Sequence, residues 1–336
     1  MIIDMHAHVV APPELYAYKA GLLSHRGAHG KGNPGVPAAR IEEFAQQNIA
    51  IMDSVGTDVQ FISPRPFQGM HSEKPGKIVL WWAEAVHNVI AEQVRNHPDR
   101  FQGVCQLPLL AGEPVTVAIP ELERCVNELG FIGCLLNPDP SEGAWTTPTL
   151  DNEYWYPLYE KLCELDVPAL IHSAGCKNER ETYSEHFITE ETIAVLSLCK
   201  SQVFQRFPTL KIIVAHGGGS VPYQIGRWRA ARFNQMRNNP NLESFDQSLR
   251  RLYFDTVLYN KESLEFLFKI VGTDRCMFGT EKPGSGSAQD PATGAWLDDL
   301  KPVIESIEWL TEQDKRLIFE ENAKKVFTRF KMPAKV

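Results

Sequence analysis

The residues in this sequence that are best suited to chemistry are histidines near the ends of short apolar runs. His6 and His8 stand two apart in IIDMHAH, at residues 2–8. Side chains alternate along a strand, so both imidazoles should point the same way, with Ile3 and Met5 on the other face or below. A single histidine at a strand end is more often structural than functional. Whether His6 and His8 are functional therefore depends on the other residues at strand ends.

Two more histidines and one acid share this placement. His172 lies near the end of PALIHSA (168–174), His216 lies in KIIVAHGG (211–218), and Glu281 ends CMFGTE (276–281). Imidazole nitrogens and carboxylate oxygens are ligands for Zn²⁺ and related divalent metals. If the fold brings these residues together, they form a metal site.

Short apolar runs alternate with helical patterns along the whole chain. Eight strands are predicted, at 2–8, 59–64, 101–108, 131–138, 168–174, 211–218, 252–257 and 276–281. Helical periodicity lies between them, for example at 39–56, 119–130, 154–166, 189–207 and 261–272. Eight strands, each followed by a helix, predict an α/β fold, the (β/α)₈ TIM barrel. In such a barrel the strand ends converge on one axis, which would bring the four histidines and Glu281 together.

No linker or low-complexity segment divides the chain, so residues 1–336 are interpreted as one barrel domain. Two stretches rich in glycine and proline, 19–38 and 282–295, are predicted to be long loops after the first and eighth strands. Both follow strand carboxyl ends, where barrel enzymes build their active sites. Long loops at that face are often lids over the site.

Composition excludes several classes of protein. The net charge of −8 and the absence of a basic block argue against a nucleic-acid partner. No apolar run approaches the roughly 18 residues needed to span a membrane, and no secretory signal is visible. The seven cysteines are scattered without a Cys-x-x-Cys spacing, which is typical of reduced thiols. We therefore expect a cytoplasmic protein without a membrane partner.

The histidine pattern resembles the amidohydrolase superfamily, and HGGGSVP at 216–222 resembles its branch of decarboxylases and 4-oxalomesaconate hydratases. The resemblance covers nearly the whole chain. It implies that His6, His8, His172 and Glu281 bind a divalent metal, Zn²⁺ or Mn²⁺, and that His216 is a nearby general acid/base. No lysine stands at the end of the fourth strand, in LLNPDP, so one metal is expected.

Glu281 decides between two activities within this branch. The decarboxylases usually carry an aspartate after the eighth strand, whereas FGTEKPG carries a glutamate, as the 4-oxalomesaconate hydratases do. The resemblance thus implies a hydratase that adds water to 4-oxalomesaconate or a related unsaturated polycarboxylate from aromatic ring cleavage. Glu281 would shuttle the proton, and His216 would orient or deprotonate the water. The alternatives are a non-oxidative decarboxylase, a hydrolase of a lactone or carbon–carbon bond, and a silent barrel that acts as a scaffold.

A substrate with two or three carboxylates needs cationic and hydrogen-bonding partners. Arg65 follows the second strand, and its guanidinium matches a carboxylate. The family resemblance adds Arg227, which can serve a neighbouring subunit's site. Asn137, Tyr183 and His71 are weaker candidates, and Lys282 has no stronger claim. The five histidines at 25, 29, 87, 97 and 186 are predicted to be surface or loop residues.

The segment GRWRAARF, after the sixth strand, mixes aromatic and arginine residues as interface cores do. We therefore expect a homo-oligomer, most simply a homodimer, with this helix at or near the interface.

Overall fold

The computed structural model describes residues 1–332, and its eight strands lie side by side in chain order. They are β1 Ile3–His8, β2 Val59–Ser63, β3 Phe101–Gln106, β4 Gly133–Leu136, β5 Ala169–Ile171, β6 Ile212–Val214, β7 Tyr253–Asp255 and β8 Cys276–Met277. Each strand pairs in parallel with the next. The Met5 amide donates to the Phe278 carbonyl (2.9 Å) and the Glu281 amide to the His6 carbonyl (2.8 Å), which brings the last strand against the first. The predicted (β/α)₈ barrel is confirmed.

The helices surround this barrel. They are α1 Pro13–His25, α2 Ala38–Val55, α3 Lys77–Asn96, α4 Ile119–Asn127, α5 Tyr156–Leu165, α6 Tyr183–Lys200, α7 Val203–Arg206, α8 Ile225–Met236, α9 Phe245–Leu249, α10 Lys261–Val271, α11 Leu300–Glu305, α12 Glu312–Arg316 and α13 Asn322–Val326. Among residues 1–332, no helix combines the length and apolar character that a membrane crossing requires.

Helix α6 begins earlier than the predicted start at residue 189. The Thr182 side chain accepts a hydrogen bond from the Glu185 amide, and the Glu185 carboxylate accepts one from the Thr182 amide. This capping box satisfies amides at the start of a helix that would otherwise lack partners. The cap therefore fixes the start of α6 at Tyr183, six residues before the periodic apolar pattern.

The prediction of a loop over residues 19–38 is wrong in its first part, because α1 extends to His25. Leu15 and Leu22 are seven residues apart on one face of α1 and are completely buried. Burying two leucines stabilises by about 1.5–3 kcal/mol each, whereas Gly21 costs about 1 kcal/mol of helix propensity. The free energy gained by burying the two leucines therefore outweighs the low helix propensity of this glycine-containing segment.

Residues 282–295 are irregular, as predicted. Within them, Gln289 forms an isolated bridge with Trp296, the next residue after this range.

A bulge in β1 determines which side chains face the barrel interior. Strand pairing with β2 shifts register between Asp4 and Ala7. Ile3 and Met5 pack in the interior apolar cluster, which Phe327, just after α13, helps to close. His6 and His8 lie farther along the strand, at its carboxyl end. The bulge thus lets β1 contribute both to the apolar interior and to the polar site above it.

Candidate metal centre

The four strand-end histidines and Glu281 meet at the carboxyl ends of the strands, and we call these five residues the metal centre. The Nε2 atoms of His6, His8, His172 and His216 lie 3.5, 3.3, 3.1 and 3.4 Å from Oε1 of Glu281. All five residues are buried. The convergence predicted from the barrel pattern is therefore present in the structure.

Each of these imidazoles is oriented through its other ring nitrogen, Nδ1. The acceptors of the Nδ1 atoms of His6, His8, His172 and His216 are, in order, Asp255 (2.6 Å), the Ser63 hydroxyl (2.9 Å), the Ser173 carbonyl (2.8 Å) and Glu191 (2.9 Å). An Nδ1 that faces an acceptor carries the hydrogen, so Nε2 is the atom presented to the centre. Metal-binding histidines show this arrangement.

The pKa shifts in the metal centre favour the metal-binding forms of His8, His172 and Glu281. Burial lowers the pKa of His8 to about 3 and also lowers that of His172, so both rings are neutral at pH 7. Burial also disfavours charge on His6, but the hydrogen bond with Asp255 and the Glu281 charge raise its pKa and make Nε2 more basic. Although burial opposes ionisation of Glu281, the His216 charge and three histidine hydrogen bonds hold its pKa well below its usual value.

A divalent metal fits these residues. One ligand atom from each of His6, His8, His172 and Glu281 lies within 4.8 Å of the others. The buried Nε2 of His6 has no hydrogen-bond partner among the described residues. Nitrogen and carboxylate oxygen donors of this kind suit Zn²⁺ and Mn²⁺. The metal-ligand role of these four residues stays a prediction that the geometry supports.

His216 stands beside this ligand set, and its backbone explains the glycines that follow it. His216 has φ +49°, and Gly217, Gly218 and Gly219 also have positive φ. A Cβ on Gly219 would lie 2.7 Å from the Ile188 carbonyl oxygen of α6. The glycine run therefore lets the loop after β6 pack closely on α6, the helix that carries Glu191. Burial disfavours charge on His216, but the Glu191 and Glu281 carboxylates raise its pKa well above the usual value.

Glu191 is one of three supporting residues that the sequence pattern did not single out. It lies within the apolar face of α6, and an acid at such a position is a signal that could have found it. Asp255 ends β7, is completely buried and also accepts the Gly217 amide (3.0 Å). Tyr259 donates to Oε2 of Glu281 (2.8 Å), and no local pattern marks it.

Replacing Glu191 by glutamine is expected to lower kcat by about 10–100-fold, the usual effect of losing a partner that orients a site residue. The amide keeps the shape of the side chain but removes the charge that holds the Nδ1–H of His216. KM and metal content should stay at wild-type values, because Glu191 contacts none of the four predicted ligands. Steady-state kinetics and elemental analysis measure both. A fall in metal content parallel to kcat would contradict this role.

Arg65 lies at the rim of the barrel, as predicted. It is half-buried just after β2 and donates to the Pro283 carbonyl (3.2 Å), two residues beyond Glu281. It forms no ion pair with any residue in the range 1–332. Its guanidinium charge is therefore free to meet a substrate carboxylate, and its binding role stays a prediction.

His71 and Asn137 form hydrogen bonds with each other and with neighbouring protein atoms. Nε2 of His71 lies 2.8 Å from Oδ1 of Asn137, and the Asn137 amide donates to the His172 carbonyl (2.6 Å). Both residues are buried. Their hydrogen bonds to protein atoms suit a role in positioning His172, and a direct contact with substrate stays a prediction.

Tyr183 begins α6 and is exposed, 47% of its surface being accessible. Its ring stacks on Phe67 (5.7 Å between centroids) and meets the edge of Phe187 (5.5 Å). Phe187 in turn stacks on His216 (5.8 Å). These aromatic rings form a wall that reaches from the metal centre to the surface.

The remaining candidates lie elsewhere. Arg227 is exposed on α8, and Lys282 is buried in an ion pair with Asp298 (2.6 Å) that anchors the loop after β8.

The prediction that His87 and His186 are surface or loop residues is wrong. Both are completely buried within helices, where carboxylates of Glu121 (2.6 Å) and Glu181 (3.0 Å) accept from their rings. The histidines at 25, 29 and 97 are at least partly exposed.

The fold and the centre define a (β/α)₈ barrel whose strands bring side chains that could hold a metal ion together at their carboxyl ends. Residues 3–329 match the amidohydrolase family. The chain belongs to this family.

Relatives within the family cover most of the chain. The 2-keto-4-carboxy-3-hexenedioate hydratase of Sphingobium sp. (strain NBRC 103272 / SYK-6) is 36% identical over 336 residues, which cover 98% of this chain and 96% of the relative. The γ-resorcylate decarboxylase of Polaromonas sp. (strain JS666 / ATCC BAA-500) is 28% identical over 73% of this chain and 78% of its own length.

Solved structures of two enzymes resemble this chain over nearly its full length. The 4-oxalomesaconate hydratase from Rhodopseudomonas palustris superposes with a TM-score of 0.87 and 31% identity, covering 98% of this chain and 96% of that one. A dihydroxybenzoic acid decarboxylase from Polaromonas sp. JS666, with bound manganese and 2-nitroresorcinol, has a TM-score of 0.71 and 24% identity over 97% and 96% of the two chains. This second likeness shows a shared fold.

Proposed function

We propose that this chain is a metal-dependent hydratase, a lyase that adds water to the carbon–carbon double bond of 4-oxalomesaconate or a closely related unsaturated polycarboxylate. The observation that carries the proposal is the similarity to two hydratases over nearly the full length of the chain. The glutamate at position 281, in the middle of the metal centre, agrees with it.

The substrate class explains the chemistry that the site needs. In 2-keto-4-carboxy-3-hexenedioate, the C3–C4 double bond is conjugated with the C2 ketone, so C4 is electron-poor. Addition of water forms a C–O bond at C4 and places a proton on C3, while the second water hydrogen stays on the new hydroxyl. The site must therefore activate water, deliver one proton to carbon and hold three carboxylates.

A divalent cation bound by His6, His8, His172 and Glu281 supplies Lewis acidity, which brings the pKa of water toward about 7. The ion is Zn²⁺ in our proposal, with Mn²⁺ as the alternative, since the Polaromonas decarboxylase holds manganese. One ion per chain is expected in this centre.

The chain's own groups move the proton. Glu281 presents Oε1 to the four imidazoles, while Oε2 accepts from the Tyr259 hydroxyl at 2.8 Å. We assign it the shuttle that takes a proton from water and passes it to C3. His216, held by Glu191, orients the water. Arg65 binds a substrate carboxylate at the rim, and the aromatic wall of Phe67, Tyr183 and Phe187 limits access of bulk water.

A direct assay tests the proposal. Purified protein is mixed with 4-oxalomesaconate, and two quantities are followed together, the loss of conjugated ultraviolet absorbance and the release of carbon dioxide. Hydration removes the absorbance without release of gas. γ-Resorcylate is the matched second substrate. Carbon dioxide release from it, with no hydration of 4-oxalomesaconate, would replace the hydratase by the decarboxylase alternative, which the related decarboxylases support.

We also propose a homodimer with α8 at or near the interface, in a reducing cytoplasmic environment where the seven cysteines stay free. Tyr223 and Phe233, just before and on α8, are 78% and 59% exposed, and Arg227 lies between them. Exposed aromatic residues beside arginines are typical of interface cores.

Replacing Arg227 by alanine is expected to raise KM by about tenfold without loss of metal, if its guanidinium reaches the partner subunit's site and binds a substrate carboxylate. Kinetics and elemental analysis check this result. Arg237→Ala, in the residue that follows α8, is the control and should behave like wild type. A fully active monomer by light scattering at high dilution would refute the interface role.

A further inference from the structure

A second group of metal-binding side chains lies outside the metal centre, between the loop after β4 and helix α6. Asp139, His186 and Glu190 offer three ligand atoms within 4.8 Å of one another, and all three residues are buried. We call them the Asp139 cluster. The assigned function uses none of the three.

The Asp139 cluster contains unpartnered polar atoms that face one another. Nε2 of His186 and Oε1 of Glu190 are buried without hydrogen-bond partners among the described residues. Nε2 of His186 lies 3.9 Å from Oδ2 of Asp139. A buried acceptor without a donor lowers the stability of the fold by about 1–3 kcal/mol. A positively charged occupant that binds several such atoms would remove this cost.

The orientation of His186 points to a metal. Its Nδ1 lies 3.0 Å from the Glu181 carboxylate, which fixes the hydrogen on Nδ1 and leaves the Nε2 lone pair facing Asp139. A carboxylate behind a histidine, with the other nitrogen directed at a shared point, is the arrangement that supports metal-bound histidines. The metal centre shows the same pattern at His6 and His216.

The charge around the Asp139 cluster favours a cation. Burial, and then the neighbouring carboxylates Asp139, Glu181 and Glu191, raise the pKa of Glu190 to about 8. Asp139 is held in place by the amides of Ser141 (3.0 Å) and Gly143 (2.8 Å). A cavity of about 190 Å³, lined by Asp139, Glu190 and Trp145 among others, lies beside these groups and leaves room for water ligands.

We propose that Asp139, His186 and Glu190 form a second divalent-metal site, separate from the metal centre, that takes Zn²⁺ or Mn²⁺. Two carboxylate oxygens and one imidazole nitrogen suit these ions. The ion joins the loop after β4 to α6, the helix that also carries Glu191. This proposal rests on the geometry of the three residues and does not depend on the chain being a hydratase.

Equilibrium dialysis of the full chain against Zn²⁺, followed by elemental analysis, tests the site. Two ions per chain are expected in wild type, one in Glu190→Gln and one in a variant with both His6 and His8 replaced by alanine. Glu160→Gln, the same change at an exposed residue, should keep two. One ion in wild type would overturn the proposal, because a proton would then occupy the Asp139 cluster. Two ions in Glu190→Gln would also overturn it, because the second ion would then be bound elsewhere in the chain.

Trp145 gives a readout that is local to this site. Its ring meets that of His186 edge-on at 5.8 Å between centroids. Mn²⁺ is paramagnetic and should quench the Trp145 part of the fluorescence in wild type but not in Glu190→Gln. Trp145→Phe identifies that part of the signal. Equal quenching in wild type and Glu190→Gln, with circular dichroism showing that both are folded, would also overturn the proposal.

Discussion

Replacing His6 and His8 together by alanine is expected to abolish turnover and to remove the metal of the centre. The two rings present Nε2 to the Glu281 carboxylate from one strand, and their removal leaves His172 and Glu281 as the remaining ligands. Two ligands cannot hold Zn²⁺ in the tetrahedral geometry that needs three or four protein donors. Elemental analysis of the purified variant and an assay with 4-oxalomesaconate measure the two effects.

The matched control is the replacement of His25 and His29 by alanine. These two imidazoles are also close together, 5.4 Å between ring centroids, but they lie at the end of α1 and in the loop after it. This control should keep activity and both metals. Because His6 and His8 are buried, circular dichroism must show that the variant is folded. A folded double variant that has lost the ion of the metal centre but is fully active would rule out the metal centre as the active site.

Glu281→Gln is expected to lose turnover by about 10²–10⁴-fold, the range usual for removing a general acid or base. Glutamine keeps the volume and an oxygen ligand, but it can no longer carry a proton. Wild-type metal content and substrate binding should remain. Turnover and metal content are measured with and without excess Zn²⁺, because a weaker site and a missing proton shuttle respond differently to added metal.

Glu281→Asp is the companion variant, because it keeps the charge and shortens the reach by one methylene. It should keep metal and should retain more activity than Glu281→Gln. The loss in Glu281→Gln should persist at full metal occupancy. Restoration of the rate by added Zn²⁺ would instead assign Glu281 to metal binding alone, and would favour a decarboxylase in which His216 supplies the proton.

The barrel, and the residues that converge at the carboxyl ends of its strands, could be predicted from the sequence. The strand signal is local, because alternating apolar runs bounded by proline and glycine need no tertiary information. Once eight strands follow one another with helices between them, the ends of the strands must converge. The strand-end positions alone thus predicted that five residues converge: His6, His8, His172, His216 and Glu281. That residues 1–336 form one domain stays a prediction from the same pattern.

The residues that support the metal centre could be recognised only in the folded structure. The partners of His6 and His216, Asp255 and Glu191, lie 249 and 25 residues away along the chain. Tyr259 reaches Glu281 from the loop after β7. No local pattern selects such partners, because side chains distant in sequence meet only when the barrel closes. The same holds for His186, which composition left at the surface and which packing buried beside Asp139 and Glu190.

The two errors over helices have different physical causes. Glycine-rich composition suggested a loop where α1 lies, and the apolar period placed the start of α6 too late. In the first case burial of Leu15 and Leu22 against the barrel outweighs propensity, and in the second the Thr182 capping box extends the helix. Local sequence determines what a segment can form. Contacts made after the chain has folded decide whether a segment with weak helix propensity becomes a helix, and which polar groups it brings to the metal centre.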